Sequence, residues 1–251
     1  QLEDEFRGCL ELAKYFLDTV GMLEDCTFRF SQWDPENREK YIGTPEQWDE
    51  AQGIMKKILD DLGVEYTVGV GEAAFYGPKL DVQYKNVFGK EDTIVTIQVD
   101  QLLAEQFGME YTDTDGQKKR PYILHRTSLG CYERTLAYLI EKYAGALPTW
   151  LSPTQVKLLP IGNEQLEYTK KIAEKMQSFG IRVETDDRYE KIGYKIRQAQ
   201  LQKIPYMLII GDKEMADGTV SVRSRKNGDM GAVPADEFID RLVLEIAKKE
   251  R

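Results

Sequence analysis

Leu147-Pro148-Thr149-Trp150-Leu151-Ser152-Pro153 divides the sequence, because its two prolines stop any helix that would cross it. On its N-terminal side, strand-like segments at 65–70, 79–87 and 93–100 are joined by short turns, the last two around Phe88-Gly89-Lys90. Asp115-Gly116 marks another turn, and Tyr122 to Thr127 reads as a further strand. Helices stand beside these strands rather than between them. Leu2, Phe6, Cys9, Leu10, Ala13, Phe16, Leu17 and Val20 recur at helical spacing. Thr44-Pro45-Glu46-Gln47 is a capping box with proline at the first helical position, opening a helix with Trp48, Ala51, Met55, Ile58, Leu59 and Leu62 on one face. A helix over about 130–143 is expected to turn Leu136, Leu139 and Ile140 inward. Short-turn strands with segregated helices predict an α+β domain with an antiparallel sheet.

Past the prolines the rhythm changes. Strand Val156–Ile161, a helix over 163–179 burying Ile172, Ala173, Met176 and Phe179, and strand Ile181–Thr185 alternate. A helix over 192–202, strands Tyr206–Ile210 and 219–224, and a last helix from Pro234 complete an α/β domain with a mixed, mostly parallel sheet. The predicted domains are 1–148 and 154–251. Charge follows the same division: residues 1–150 carry 16 Lys and Arg against 27 Asp and Glu, the rest 18 against 16. The net charge of -9 argues against nonspecific nucleic-acid binding, and a nucleic-acid partner would favour the second, near-neutral part.

Three scattered cysteines form no disulfide framework and suit a reducing setting, and no apolar run reaches the ~20 residues of a membrane span. The first residues from Gln1 are already in helical register, which reads either as a cut inside a larger protein or as the loss of a short tail.

Gly69-Val70-Gly71-Glu72-Ala73-Ala74 fits a dinucleotide fingerprint formally, but Phe75-Tyr76-Gly77-Pro78 follows where a helix would have to open. The segment is instead a bend between strands, or a close backbone approach to a ligand edged by Tyr76 and Lys79. His125 is the one histidine, so this sequence alone offers no metal site. Arg134 stands in the first turn of a helix, where a cation is held either by an anion or by a neighbouring acid such as Glu133. The run from Asp187 to Arg197 interleaves cations with Tyr189 and Tyr194, suited to phosphates and stacked bases or to a solvated face.

Several strings together resemble bacterial-type threonyl-tRNA synthetases, which are class II aminoacyl-tRNA synthetases. They are Ala74-Phe75-Tyr76-Gly77-Pro78-Lys79, Thr96-Ile97-Gln98-Val99-Asp100, His125-Arg126-Thr127 with Leu129-Gly130 and Glu133-Arg134, and Tyr143 to Leu151. Glu190-Lys191-Ile192-Gly193-Tyr194-Lys195-Ile196-Arg197 and Pro205-Tyr206-Met207-Leu208 extend the resemblance through the second domain. It implies an incomplete class II catalytic domain followed by an anticodon-binding domain. It also implies ATP-dependent activation of L-threonine and its transfer to tRNA(Thr), in a cytoplasmic homodimer without membrane attachment.

By resemblance, Arg134 matches the motif 3 arginine on the ATP γ-phosphate, and Thr96 lies beside the nucleotide. Tyr76, Lys79 and Gln98 match residues lining the pocket for threonine and the tRNA acceptor end. His125 matches one of three zinc ligands. Arg197, Glu214 and Arg223 match positions facing the anticodon, with Lys191 and Lys195 as backbone contacts. The implied cofactors are Zn²⁺, with its site incomplete in this sequence, and Mg²⁺ with ATP. The family's other two zinc ligands and motifs 1 and 2 lie upstream of the segment matching Gln1, so the piece alone is expected to be inactive. The alternative is a non-catalytic tRNA-binding or regulatory paralogue. Ile94-Val95, where many members have Cys-Gly, together with Cys131 and Tyr189, depart from the family pattern.

Overall fold

The computed structural model describes residues 1–100 and 102–251. They form two units, Gln1–Tyr138 and Leu139–Arg251.

The first unit contains α1 (Leu2–Thr19), β1 (Cys26–Gln32), α2 (Pro45–Asp61), β2 (Thr67–Val70), β3 (Lys79–Lys85), β4 (Glu91–Asp100), α3 (Leu103–Gln106), β5 (Tyr111–Thr112), β6 (Lys118–Lys119), β7 (Ile123–Arg126) and the start of α4 (Tyr132–Lys142). Its main sheet has the order β2-β1-β3-β4-β7. All neighbours are antiparallel except β1 and β2, which run parallel. Side chains alternate across the sheet with period two. Phe30, Leu80, Ile97 and Val99 therefore share a face, buried against Phe6 and Leu10 of α1 and Met55, Ile58 and Leu59 of α2. Each such side chain contributes about 1.5–3 kcal/mol of burial. The opposite face carries Ser31, Lys79, Asp81, Thr96 and Gln98, and this face positions the site. The capping box closes as expected, with Gln47 N donating to Thr44 Oγ1 at 3.4 Å and Thr44 N to Gln47 Oε1 at 2.9 Å.

In the second unit follow β8 (Val156–Pro160), α5 (Leu166–Ser178), β9 (Val183–Thr185), α6 (Ile192–Leu201), β10 (Tyr206–Ile210), α7 (Asp212–Asp217), β11 (Thr219–Ser224), β12 (Gly228–Pro234) and α8 (Ala235–Ala247). The sheet order is β12-β11-β10-β8-β9. The pairs β8–β9 and β8–β10 are parallel while β10–β11 and β11–β12 are antiparallel, so the sheet is mixed in equal parts rather than mostly parallel. One face packs Leu158, Leu208, Ile210 and Val222 against α5 and α8, and α6 covers Leu159 and Met207 on the other.

Three further expectations are corrected. Leu136 and Ile140 are exposed, and α4 instead buries Thr135, Tyr138 and Leu139. The inward stripe is rotated by one residue because Tyr138 can bury its ring while its hydroxyl donates to Asp92 Oδ2 at 2.7 Å. Phe179 is exposed as well. It caps α5, and Gly180 at φ 77° turns the chain so that Ile181 enters the core instead.

The proline segment stops the helix but is no free tether. Arg182 donates to Trp150 O at 2.8 Å and Ser152 O at 2.9 Å, while Gln155 donates to Thr149 O at 3.0 Å. Arg225 reaches Leu147 O at 2.6 Å and Ala146 O at 3.1 Å. These donors fix carbonyls that no ladder satisfies. Arg225→Met is expected to speed amide exchange in segment 146–152 by about tenfold or more, since two charge-assisted bonds to the segment are lost together with a third to Lys203 O. Hydrogen-exchange mass spectrometry reads this directly, and unchanged protection would show that the clamp is not what orders the segment.

No helix among the described residues is long and apolar enough to cross a membrane.

Candidate functional site

The polar face of the first sheet is assembled by register. Lys79 of β3 lies opposite Gln98 of β4, Asp81 opposite Thr96, and Gln98 opposite His125 of β7. Tyr76 reaches this face from the loop before β3, where Gly77 lets the chain pass Val99: a Cβ at Gly77 would stand 2.0 Å from Val99 O. The Tyr76 hydroxyl donates to Gln98 Oε1, and its ring centroid is 5.1 Å from that of His125. Burial first, and then the Asp100 charge, push the Tyr76 phenol above its ordinary pKa, so it remains a neutral donor.

Two aspartates organise the face from beneath, and neither was recognised from the sequence as part of the site. Asp81, 1% exposed, accepts Lys79 Nζ at 2.6 Å, Ser31 Oγ at 2.7 Å and Thr96 Oγ1 at 2.8 Å. Asp100 is fully buried and holds His125 Nε2 at 2.9 Å. The available signal was the polar alternation Lys79-Leu80-Asp81-Val82-Gln83, which puts Asp81 on the face of Lys79.

Five predicted residues, Tyr76, Lys79, Thr96, Gln98 and His125, thus lie on one surface. The Thr96 hydroxyl is turned to Asp81. Arg134 is exposed on α4 and donates from Nη1 to Thr93 O at 2.9 Å, opposite Gln83 on the same sheet. Gly130 seats the start of α4: its φ is 72°, and a Cβ there would fall 2.0 Å from Ile94 O.

Among the described residues no three His, Cys, Asp or Glu side chains converge to hold a metal ion. The donors of the described residues therefore do not by themselves complete a zinc site. His125 with a buried carboxylate behind it has the character of one ligand of such a site.

The second unit has a cleft of about 440 Å³, lined by Asn163, Asp187, Arg188, Tyr189, Lys191 and Lys195 among others. Tyr189 is 95% exposed at its edge. Arg188 makes a two-pronged pair with Asp186, Nε to Oδ1 at 2.8 Å and Nη2 to Oδ2 at 2.6 Å, and lies 5.8 Å from the Tyr194 ring. The guanidinium holds the buried Asp186 carboxyl below the usual carboxylate range. A depressed carboxyl contributes stability above its unfolded pKa and loses it as pH falls through the folded value. Asp186→Asn is thus expected to lower stability by about 1 kcal/mol at pH 7, and the gap to wild type should close below about pH 4. Urea midpoints at both pH values check this.

Lys195 is a correction to its expected role. It is 3% exposed, and its ammonium donates to Pro160 O at 2.9 Å and Asp186 O at 3.0 Å. It braces the cleft wall rather than offering a charge to an external phosphate. Lys191 and Arg197 are exposed at the start and along α6. Glu214 accepts Gly211 N at 3.0 Å at the start of α7, and Arg223 pairs with Asp229 at 3.5 Å across β11–β12. Arg197, Glu214 and Arg223 do not line the cleft of Lys191 and Lys195.

Residues 1–143 match a family model described as the tRNA synthetase class II core domain (G, H, P, S and T). The chain belongs to that class II synthetase family. Residues 155–245 match a second model, the anticodon binding domain. Among curated relatives, "Threonine--tRNA ligase" of Clostridium perfringens (strain 13 / Type A) is 58% identical over 250 residues, covering 100% of this chain and 39% of that protein. "Threonine--tRNA ligase 1" of Bacillus subtilis (strain 168) is 47% identical over 249 residues, 99% of this chain and 39% of the relative. The chain therefore spans about 39% of the length of the curated relatives it matches. Among solved structures, the crystal structure of the RNA binding domain of threonyl-tRNA synthetase from Cryptosporidium parvum Iowa II aligns with a TM-score of 0.86 at 32% identity, over 96% of this chain and 60% of that one. The class II core and the anticodon-binding architecture expected from the sequence are both present.

Proposed function

We propose that this chain is part of a threonine–tRNA ligase, carrying one wall of the amino-acid activation site and the anticodon-reading domain, with domain extents 1–148 and 154–251. The supporting observation is the single polar face that aligns Tyr76, Lys79, Thr96, Gln98 and His125, in a chain 58% identical to a threonine–tRNA ligase.

In this reading Lys79, oriented by Asp81, presents its remaining ammonium protons to an anionic substrate group. Tyr76 fixes the Gln98 carbonyl, which leaves the amide NH₂ to donate into the pocket. Arg134 keeps guanidinium donors beyond Thr93 O for the γ-phosphate, and Thr96 stands beside the nucleotide. The threonine carboxylate attacks the α-phosphorus of ATP and pyrophosphate leaves; a tRNA ribose hydroxyl then attacks the acyl carbon and AMP leaves. Positioning and charge neutralisation do most of this work. Bound zinc, with His125 as one ligand, would supply a contact to the threonine hydroxyl that valine lacks. Mg²⁺ would enter on the ATP phosphates.

Lys191, Arg197, Glu214 and Arg223 are the anticodon-side residues, with Lys195 bracing Lys191's cleft. The whole protein is read as a cytoplasmic homodimer, and the 251-residue chain alone as inactive in threonine activation. Its binding domain gives a direct test. A tRNA(Thr) transcript should bind the chain, and Arg223→Ala or Arg197→Ala should weaken binding by about 1–3 kcal/mol at fixed salt. Equal affinity for wild type, the variants and a transcript with a changed anticodon would contradict the assignment.

A further inference from the structure

His125 Nε2 lies 2.9 Å from Oδ2 of Asp100, a side chain with no exposed surface. The other carboxylate oxygen is already used: Oδ1 accepts Leu102 N and Leu103 N, each at 2.9 Å, at the start of α3. Asp100 is therefore held from one side by backbone donors, and only Oδ2 faces the ring. With Oδ1 taken by two backbone donors, Oδ2 is the acceptor left to the ring, so the proton between the two groups is assigned to Nε2. The nearest aromatic neighbour does not disturb this arrangement, because the Tyr76 hydroxyl is directed to Gln98 and not to the imidazole.

We infer that Asp100 is a positioning residue that locks His125 as the Nε2–H tautomer and leaves the lone pair on Nδ1. The nitrogen available to accept a donor or coordinate a cation is thereby chosen by the fold, before any ligand arrives. The functional consequence rests on the reading of His125 as a ligand nitrogen; the tautomer itself does not. Asp100→Asn separates the two roles of the carboxylate. The asparagine carbonyl keeps the Leu102 and Leu103 N–H groups, so its NH₂ must face the ring and donate to Nε2. The proton then moves to Nδ1, and the ligand lone pair is lost with little change of shape.

Because His125 is the only histidine, long-range ¹H–¹⁵N correlation spectra of the ¹⁵N-labelled 251-residue chain report this ring alone. Recorded over a pH series, the spectra distinguish the two neutral tautomers by which ring nitrogen carries the proton. The folded chain should favour Nε2–H over Nδ1–H by about tenfold or more relative to the same chain unfolded in urea, as a hydrogen bond to a charged acceptor requires. In folded Asp100→Asn the preference should invert. A folded ratio equal to the unfolded one, or an unchanged ratio in a folded Asp100→Asn chain, would overturn the inference. If that variant does not fold, the wild-type comparison decides alone. Loss of threonine dependence in the whole enzyme would instead overturn the functional reading and leave the tautomer standing.

Discussion

Gly130→Ala is expected to destabilise the first unit by about 3 kcal/mol or more, enough to abolish its folding in a marginal background. Two penalties coincide there. The φ of 72° is left-handed, which costs an alanine about 1 kcal/mol. The new Cβ would also stand 2.0 Å from Ile94 O, a backbone atom with no flexible end to swing aside. Gly63→Ala is the matched control: its φ is 62°, with nothing within 4 Å of the added Cβ, so it should show the conformational cost alone, about 1 kcal/mol. Urea denaturation of both variants separates the terms. Near-equal midpoints would mean that the contact with Ile94 does not constrain the start of α4. Gly130 lies just before the first turn of α4 and four residues before Arg134, so a folded Gly130→Ala protein should also place Arg134 poorly.

Arg134→Ala in the whole enzyme is expected to reduce threonine-dependent ATP–pyrophosphate exchange by about 10²–10³-fold, the usual cost of deleting one donor aimed at developing charge. Arg134 is exposed and has one nitrogen engaged with Thr93 O, so the guanidinium is oriented while its other donors stay available. A lysine cannot both hold Thr93 O and present a planar fork to phosphate, so Arg134→Lys should recover little of the loss. The expected signature is a fall in kcat with the melting temperature nearly unchanged. A variant with full exchange activity would remove Arg134 from the site.

What the sequence disclosed was mostly local chemistry. The capping box at Thr44, the turn at Phe88-Gly89-Lys90 and the apolar stripe of α2 are set by residues three or four apart, and each appears in the structure. β1 was not recognised, although Phe28 and Phe30 alternate with Thr27, Arg29 and Ser31; its central place depends on pairing with both β2 and β3. β12 offered less still, with Gly228 and Gly231 at positive φ and a register shift opposite Val222 and Arg223. The site followed the same division. Tyr76, Lys79, Gln98 and His125 were visible as strings, but Asp81 and Asp100 looked like ordinary strand aspartates. Only cross-strand register puts three donors around one and an imidazole on the other. Lys195 fails in the opposite sense. In sequence it is one cation of an exposed run, and the fold directs it inward to two carbonyls.

Amino-acid dependence of ATP–pyrophosphate exchange by the complete enzyme tests the central claim most directly. If the polar face of the first sheet is part of a threonine site, threonine should drive exchange and valine should do so far less well. The 251-residue chain alone should drive none with either. Exchange supported equally by valine, or no threonine-dependent exchange by the complete protein, would contradict the account.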